Sequence, residues 1–290
     1  TNYSPYPFSV PDKFIRPLHP FGWRLAGSNR YGGRGVNFGV PGFNQSSPVP
    51  RLRALGVQEV QILLENTPYP SWQPGDAGIK KDGKCIPVAG GFNCSGLEGA
   101  VRHALELTAG QTVAFDVWNE LDALESFEQF LAVWNASVRT IRKLSPGTLV
   151  VGPSTGFGPW DNDRLEHCPP APYDHCRTFA RDFLTFCRDA NVLPDIFSWH
   201  DSFTSSSFDK SQTSPTWIAN GSEVVTNVAM MRQMLAELGI TKKIKFSVNE
   251  YMSSLYAAAG FPAPIVSFIS HMERAEIHSA MGCCGDSSDG

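Results

Sequence analysis

From residue 97 onward the apolar positions alternate between two periods. Leu97, Val101, Ala104 and Leu105 make a helical stripe that ends at Gly110, after which Val113, Phe115 and Val117 alternate as a strand. Phe127, Phe130, Leu131, Trp134, Val138 and Ile141 return to helical spacing until Ser145-Pro-Gly stops them. The cycle repeats. Short buried-type strands are predicted over 148–152, 195–199 and 244–248, with helices over 179–190, 224–238 and 265–272, and a last strand over 279–284. The first half is less regular, with strands predicted over 23–27, 36–40 and 57–64 and a long irregular excursion over 73–96.

Strands separated by helices at about 35 to 50 residues leave room for right-handed crossovers and hence a parallel sheet. Eight strands are reached only if 279–284 is counted, so the expected fold is α/β, a (β/α)8 TIM barrel, with a doubly wound open sheet as the alternative. No repeat or low-complexity linker divides the chain, so one domain over 1–290 is expected. With no closing helix after 284, the barrel is expected to be truncated at or near its eighth strand, or completed by a second chain as a partner.

Composition narrows the class. A chain with 42% hydrophobic, 11% aromatic and 18% charged residues is too apolar for disorder. Its charge of −4 is spread without blocks, which points away from nucleic acid, and no apolar run approaches the roughly 18 residues of a membrane span. The chain opens on Thr1 with no apolar signal segment, which we read as a mature or trimmed N-terminus.

Cysteines and asparagines indicate the compartment. Of the seven cysteines, Cys85/Cys94 and Cys168/Cys176 form two close pairs that are candidates for short loop disulfides. His167 and His175 beside the second pair match no zinc spacing, and no metal is expected there. Asn2, Asn44, Asn93, Asn135 and Asn220 each begin an N-x-S/T acceptor site, an excess over the roughly two expected by chance. Together these predict a secreted glycoprotein.

Ligand sites on such a barrel lie at the C-terminal ends of the strands. There the sequence places Trp118-Asn119-Glu120, His200-Asp201 and Asn249-Glu250-Tyr251, with Trp199 just before His200. Glu120 and Glu250 each follow an asparagine and lie three strands apart, which in a ring of eight puts them across the mouth from one another. Paired carboxylates across a cleft are what glycosidic cleavage requires. Asn119, His200, Trp118, Asn249, Tyr251 and Trp199 are the candidate substrate contacts around them. One decoy competes: Gly152-Pro-Ser-Thr-Gly156 matches the G-x-S-x-G of a serine hydrolase, but turn-like FGPWDND follows where a helix is needed.

The stretches FDVWNELD at 115–122, FLAVWNASVRTIRKLSPGTLVVGPS at 130–154, DIFSWHDSF at 195–203 and KFSVNEY at 245–251 resemble glycoside hydrolase family 39, the β-xylosidase and α-L-iduronidase group within clan A of the retaining glycosidases. The resemblance covers roughly 111–256 and implies that Glu120 is the acid/base, Glu250 the nucleophile, Asn119 a partner of the sugar 2-hydroxyl and His200 a neighbour of the catalytic pair. It implies an oligosaccharide or glycoside substrate and no cofactor. Family members show Asn-Glu-Pro where this chain has Asn-Glu-Leu121, and often add a β-sandwich, which is not expected within 1–290. The alternative in another class is a non-catalytic, lectin-like carbohydrate-binding protein on the same barrel.

Overall fold

A computed structural model describes residues 2–3, 12–25, 49–64, 86–88, 91–108, 113–117, 127–155, 179–201, 222–251 and 262–283. Eight parallel strands close into a barrel in sequence order: β1 (Asn2–Tyr3), β2 (Gly22–Leu25), β3 (Glu59–Leu63), β6 (Ala114–Asp116), β7 (Leu149–Thr155), β8 (Ile196–Asp201), β9 (Lys245–Tyr251) and β10 (Ser279–Cys283). A separate antiparallel pair, β4 (Ile86–Val88) and β5 (Gly91–Asn93), leads into helix α3 (Ser95–Leu107). The other long helices are α4 (Phe127–Leu144), α5 (Phe179–Asp189), α6 (Glu223–Glu237) and α7 (Pro262–Arg274). The short helices α1 (Asp12–Ile15) and α2 (Val49–Ala54) belong to the first half.

The ring closes on itself. β1 pairs with β10 through Asn2↔Gly282 and Tyr3↔Cys283, and with β2 through Tyr3↔Arg24. The strand expected at 36–40 lies outside the described residues, and a two-residue strand at 2–3, ahead of the first expected strand at 23–27, occupies the closing position.

Alternation along each strand sorts the two faces. Phe115, Val150, Phe197, Trp199, Phe246 and Val248 are buried in the main core, against the stripes predicted for the helices. Between α4 and α5 the core is aromatic: Phe130, Trp134, Phe179 and Phe183 pack with ring centroids 4.9 to 6.2 Å apart. Trp134 also donates its Nε1–H to the Val192 carbonyl at 2.9 Å. Gly152 is fitted to that indole. It sits at φ +150°, and a Cβ there would stand 2.4 Å from Trp134 Cζ3. The opposite faces fill the barrel: Ala114, Val151 and Ile196 form a small apolar cluster of their own.

Below and above that cluster the filling is polar. Towards the N-terminal ends, Glu59 accepts hydrogen bonds from Gln61 at 2.8 Å and Ser279 at 3.1 Å, and His278 Nε2 lies 2.6 Å from its other oxygen. Burial raises the pKa of Glu59, but His278, Gln61 and Ser279 together hold it below the usual carboxylate value. Lys245 Nζ comes within 3.5 Å of His278, whose ring meets the edge of Phe21. Towards the C-terminal ends lies the network described next.

Candidate active site

Five strands contribute to one buried hydrogen-bond network near the mouth. Arg24 on β2 donates Nε–H to Asp116 Oδ2 on β6 at 2.6 Å, and both side chains are wholly buried. Ser154 on β7 donates to Asp116 Oδ1 at 2.7 Å and lies 2.8 Å from Ser198 Oγ on β8. Asn249 on β9 directs Nδ2 to Asp116 Oδ2 at 2.9 Å and to Ser154 Oγ at 2.8 Å. Arg24, Asp116, Ser198 and Asn249 occupy inward positions of the alternation, and their mutual hydrogen bonds are why charged and polar side chains are tolerated between apolar neighbours. Burial drives the Asp116 pKa upward, against the pull of Arg24 and Ser154.

Glu250 stands on top of this network. Its Oε2 lies 3.4 Å from Arg24 Nη1 and 3.6 Å from His200 Nδ1, and its side chain is 19% exposed while Arg24 beneath it is fully buried. The local backbone explains the aim. β8 and β9 run in register to Trp199↔Val248, then shift so that His200 faces Glu250, leaving Asn249 as an extra residue on β9. Such a bulge re-aims side chains where pairing ends. Here it lets Asn249 reach the interior and Glu250, immediately after it, reach the mouth. A second shift on the β7–β8 pairing, between Pro153 and Thr155, turns Ser154 inward at φ 55°.

The remaining expected contacts separate into groups. His200 is buried and beside Glu250. Trp199 is fully buried on the opposite face of β8, with Phe197 and Phe246 at centroid distances of 6.4 and 6.2 Å, in the layer between barrel and helices. Tyr251 packs on Phe268 of α7 at 5.4 Å, and burial raises the pKa of its hydroxyl. Trp118, Asn119 and Glu120 lie outside the described residues, beyond Val117, whose N–H bonds the Val151 carbonyl. So do Cys85, Cys168, Cys176, Asn44 and Asn220. Cys94 is disulfide-bonded and Cys187 is a buried free thiol. Asn93 is exposed and Asn135 half-buried on α4.

Arg24, Asp116 and Ser198 belong to no motif in the sequence, and Ser154 stands out there only as the serine of the G-x-S-x-G decoy. The signal was present: an arginine between Trp23 and Leu25 and an aspartate between Phe115 and Val117 are charges at the inward positions of buried strands. The serine-hydrolase decoy is accounted for by the same network. Ser154 is fully buried, its described hydrogen-bond partners are Asp116, Ser198 and Asn249, and Gly152 serves the fit to Trp134. Among the described residues, no group of three or more His, Cys, Asp or Glu side chains is placed to hold a metal ion. Nor is any described helix long and apolar enough to cross a membrane.

Solved structures share this architecture. The chain aligns over 97% of its length with 57% of N2152 from Neocallimastix frontalis at 20% identity and a TM-score of 0.62. It aligns over 98% of its length with 58% of a glucosidase from Croceicoccus marinus, at 14% identity and a TM-score of 0.60. An endo-1,4-β-D-mannanase from Thermotoga petrophila RKU-1 is matched over the whole of this chain and 89% of its own, at 15% identity and a TM-score of 0.57. The likeness is one of fold: the closed barrel is shared with that glucosidase and that mannanase. The chain spans just under three fifths of the first two of these proteins. No protein-family model matches the sequence, and no curated protein does.

Proposed function

We propose that this chain is a retaining glycoside hydrolase in which Glu250 is the nucleophile and Glu120 the acid/base. The observation that carries the reading is the placement of Glu250: a partly exposed carboxylate ending the seventh strand of the ring, with Arg24 at 3.4 Å and His200 at 3.6 Å. The likeness to a glucosidase and a mannanase supports it at the level of the fold. In the motif FDVWNE, Glu120 follows by four residues Asp116, the last residue of the fourth strand of the ring. The finer placement in glycoside hydrolase family 39 rests on the motifs alone, as do the remaining contacts, Asn119 and Trp118.

In the first step a Glu250 oxygen bonds to the anomeric carbon as the bond to the leaving oxygen breaks, and Glu120 gives that oxygen its proton. In the second step Glu120 takes a proton from water, the water oxygen bonds to the anomeric carbon, and the ester to Glu250 breaks. Arg24 and His200 both face Oε2 of the Glu250 carboxylate and fix its orientation for attack. No cofactor enters these steps. Secretion is part of the proposal: the half-cystine at Cys94 and the exposed acceptor Asn93 are consistent with an oxidising compartment.

The test is a panel of aryl glycosides, followed by a 2-deoxy-2-fluoroglycoside of whichever sugar is cut. The expected result is one added glycosyl unit on the peptide carrying Glu250, absent in Glu250→Gln, with turnover lost in both Glu250→Gln and Glu120→Gln. If the parent turns over nothing, yet binds an oligosaccharide with an affinity that Glu250→Gln leaves unchanged, the enzyme reading fails and the lectin-like alternative takes its place.

A further inference from the structure

At the opposite end of the barrel from Glu250, the second half of α4, the connection from α5 to β8 and the segment before β9 enclose a cleft of about 700 Å³. Its rim is cationic, with Arg139, Arg142, Lys143 and Lys242, and its floor includes the buried valines Val138 and Val192. This positive cluster sits in a chain whose net charge is −4.

Two of the four cations have a structural task. Arg142 and Lys242 hold the Asp195 carboxylate at 2.6 and 2.9 Å, and Asp195 also accepts the Val150 N–H at 2.8 Å, bracing the start of β8. Burial opposes ionisation of Asp195, but Lys242, the Val150 N–H and Arg142 outweigh it and hold its pKa below the usual carboxylate value, so the brace is ionic at neutral pH. The other two are differently placed. Arg139 donates to the neutral oxygens of Asn135 and the Ala190 carbonyl, at 2.8 and 3.0 Å. Lys143 meets Glu98 at 2.9 Å with 65% of its side chain in solvent. Among the described residues the four lining cations thus meet two carboxylates, Asp195 and Glu98, and Glu98 is shared with Arg102 at 2.6 Å, so positive charge is in excess around one concavity. An arginine has five N–H donors and a lysine three, so donors remain for a ligand.

We propose that this cleft binds a tetrahedral oxyanion, sulfate or phosphate, with Arg139 and Lys143 as the contributing cations. A guanidinium fork beside an ammonium suits an oxyanion's several acceptors. The apolar floor and the volume, well above that of one tetrahedral ion, suit an anion carried on a saccharide ring as well as a free one. The proposal is independent of the activity assigned to Glu250.

The test is calorimetric titration of the full chain at about 0.02 M ionic strength, where charge interactions are little screened. The probes are inorganic sulfate, inorganic phosphate, a sulfated disaccharide and its unsulfated parent. The expected result is saturable binding of the anionic probes, weakened at least about tenfold (about 1.4 kcal/mol) by Arg139→Gln with Lys143→Gln and retained by Arg139→Lys with Lys143→Arg. Both variants leave the Asp195 brace in place, and melting curves check that they fold. Inorganic ions binding as tightly as the sulfated disaccharide identifies a free-anion site; a preference for the disaccharide, with none for its parent, identifies a glycan-borne anion. Absence of binding by every probe, or equal binding by parent and the charge-removing variant, overturns the proposal.

Discussion

Arg24 and Glu250 lie 226 positions apart in the chain and meet at 3.4 Å, because Asp116 grips the other edge of the guanidinium at 2.6 Å. The arginine therefore transmits the position of a buried aspartate to a carboxylate at the mouth. Glu250 is partly exposed, yet its anchor is as deeply buried as any residue in the core.

Arg24→Met should cost both activity and stability. It leaves Asp116 without its cation, which for a buried pair costs about 3 to 5 kcal/mol. It also frees the Glu250 carboxylate, with an expected loss in kcat/KM of about 10²- to 10³-fold once a substrate is known. Urea unfolding together with steady-state kinetics on the same preparation separates the two losses. Full activity in a stable Arg24→Met variant would contradict the anchoring role.

At the other end of the barrel, Glu59 links stability to acid. Its folded pKa lies below the unfolded value of about 4.3, so its contribution is fully present above that pH and is lost as pH falls through the folded value. Glu59→Gln should lower unfolding free energy by about 1 to 3 kcal/mol at pH 7, with the gap to the parent closing below about pH 4. Asp195, whose pKa is also lowered, adds to the parent's acid sensitivity and remains in the variant. Denaturant titrations between pH 3 and pH 7 on both proteins provide the measurement; a gap that does not depend on pH would refute the linkage.

Gly152→Ala puts a methyl group 2.4 Å from the Trp134 ring at a backbone angle that L residues rarely adopt. A cost of about 2 to 4 kcal/mol follows from overpacking and strain together. Pairing it with Trp134→Leu tests the origin: a double-mutant cycle should show a favourable coupling of about 1 kcal/mol or more, read from thermal unfolding. Additive losses would place the cost in the backbone alone.

Cys187 should be inert in the folded state. It is fully buried on α5, and burial raises its thiol pKa far above the usual range. Iodoacetamide at pH 8 should modify it only in denaturant, as followed by peptide mass. Rapid labelling of the native protein would show that α5 opens locally.

The order of elements from residue 97 onward was legible because each strand and helix there is long enough to show its period. The boundaries were less so at the mouth. Strands predicted to stop at 199 and 248 continue to Asp201 and Tyr251, because polar residues at inward positions look like loop from the sequence. Arg24 and Asp116 fall inside strands that the pattern predicts, over 23–27 and 113–117, but no motif marks them as part of a site. A two-residue strand such as Asn2–Tyr3 has no periodicity to detect, and only its partners define it. Trp199 shows the converse. Adjacency to His200 makes it a candidate substrate contact, but alternation along β8 sends the two side chains to opposite faces. The residue pair Asn249-Glu250 was found, although the bulge that divides their tasks has no marker in the sequence.

The join between Asn2 and Gly282 has a kinetic meaning. It is the most non-local pairing in the sheet, so the entropy of bringing those strands together is met only after nearly all of the intervening chain is in place. During synthesis the first strand can pair on one side only, along Gly22–Leu25, and its other edge waits for Ser279–Cys283 to be made. The half-built sheet therefore has an open edge for most of its birth, and ring closure is a late event in folding.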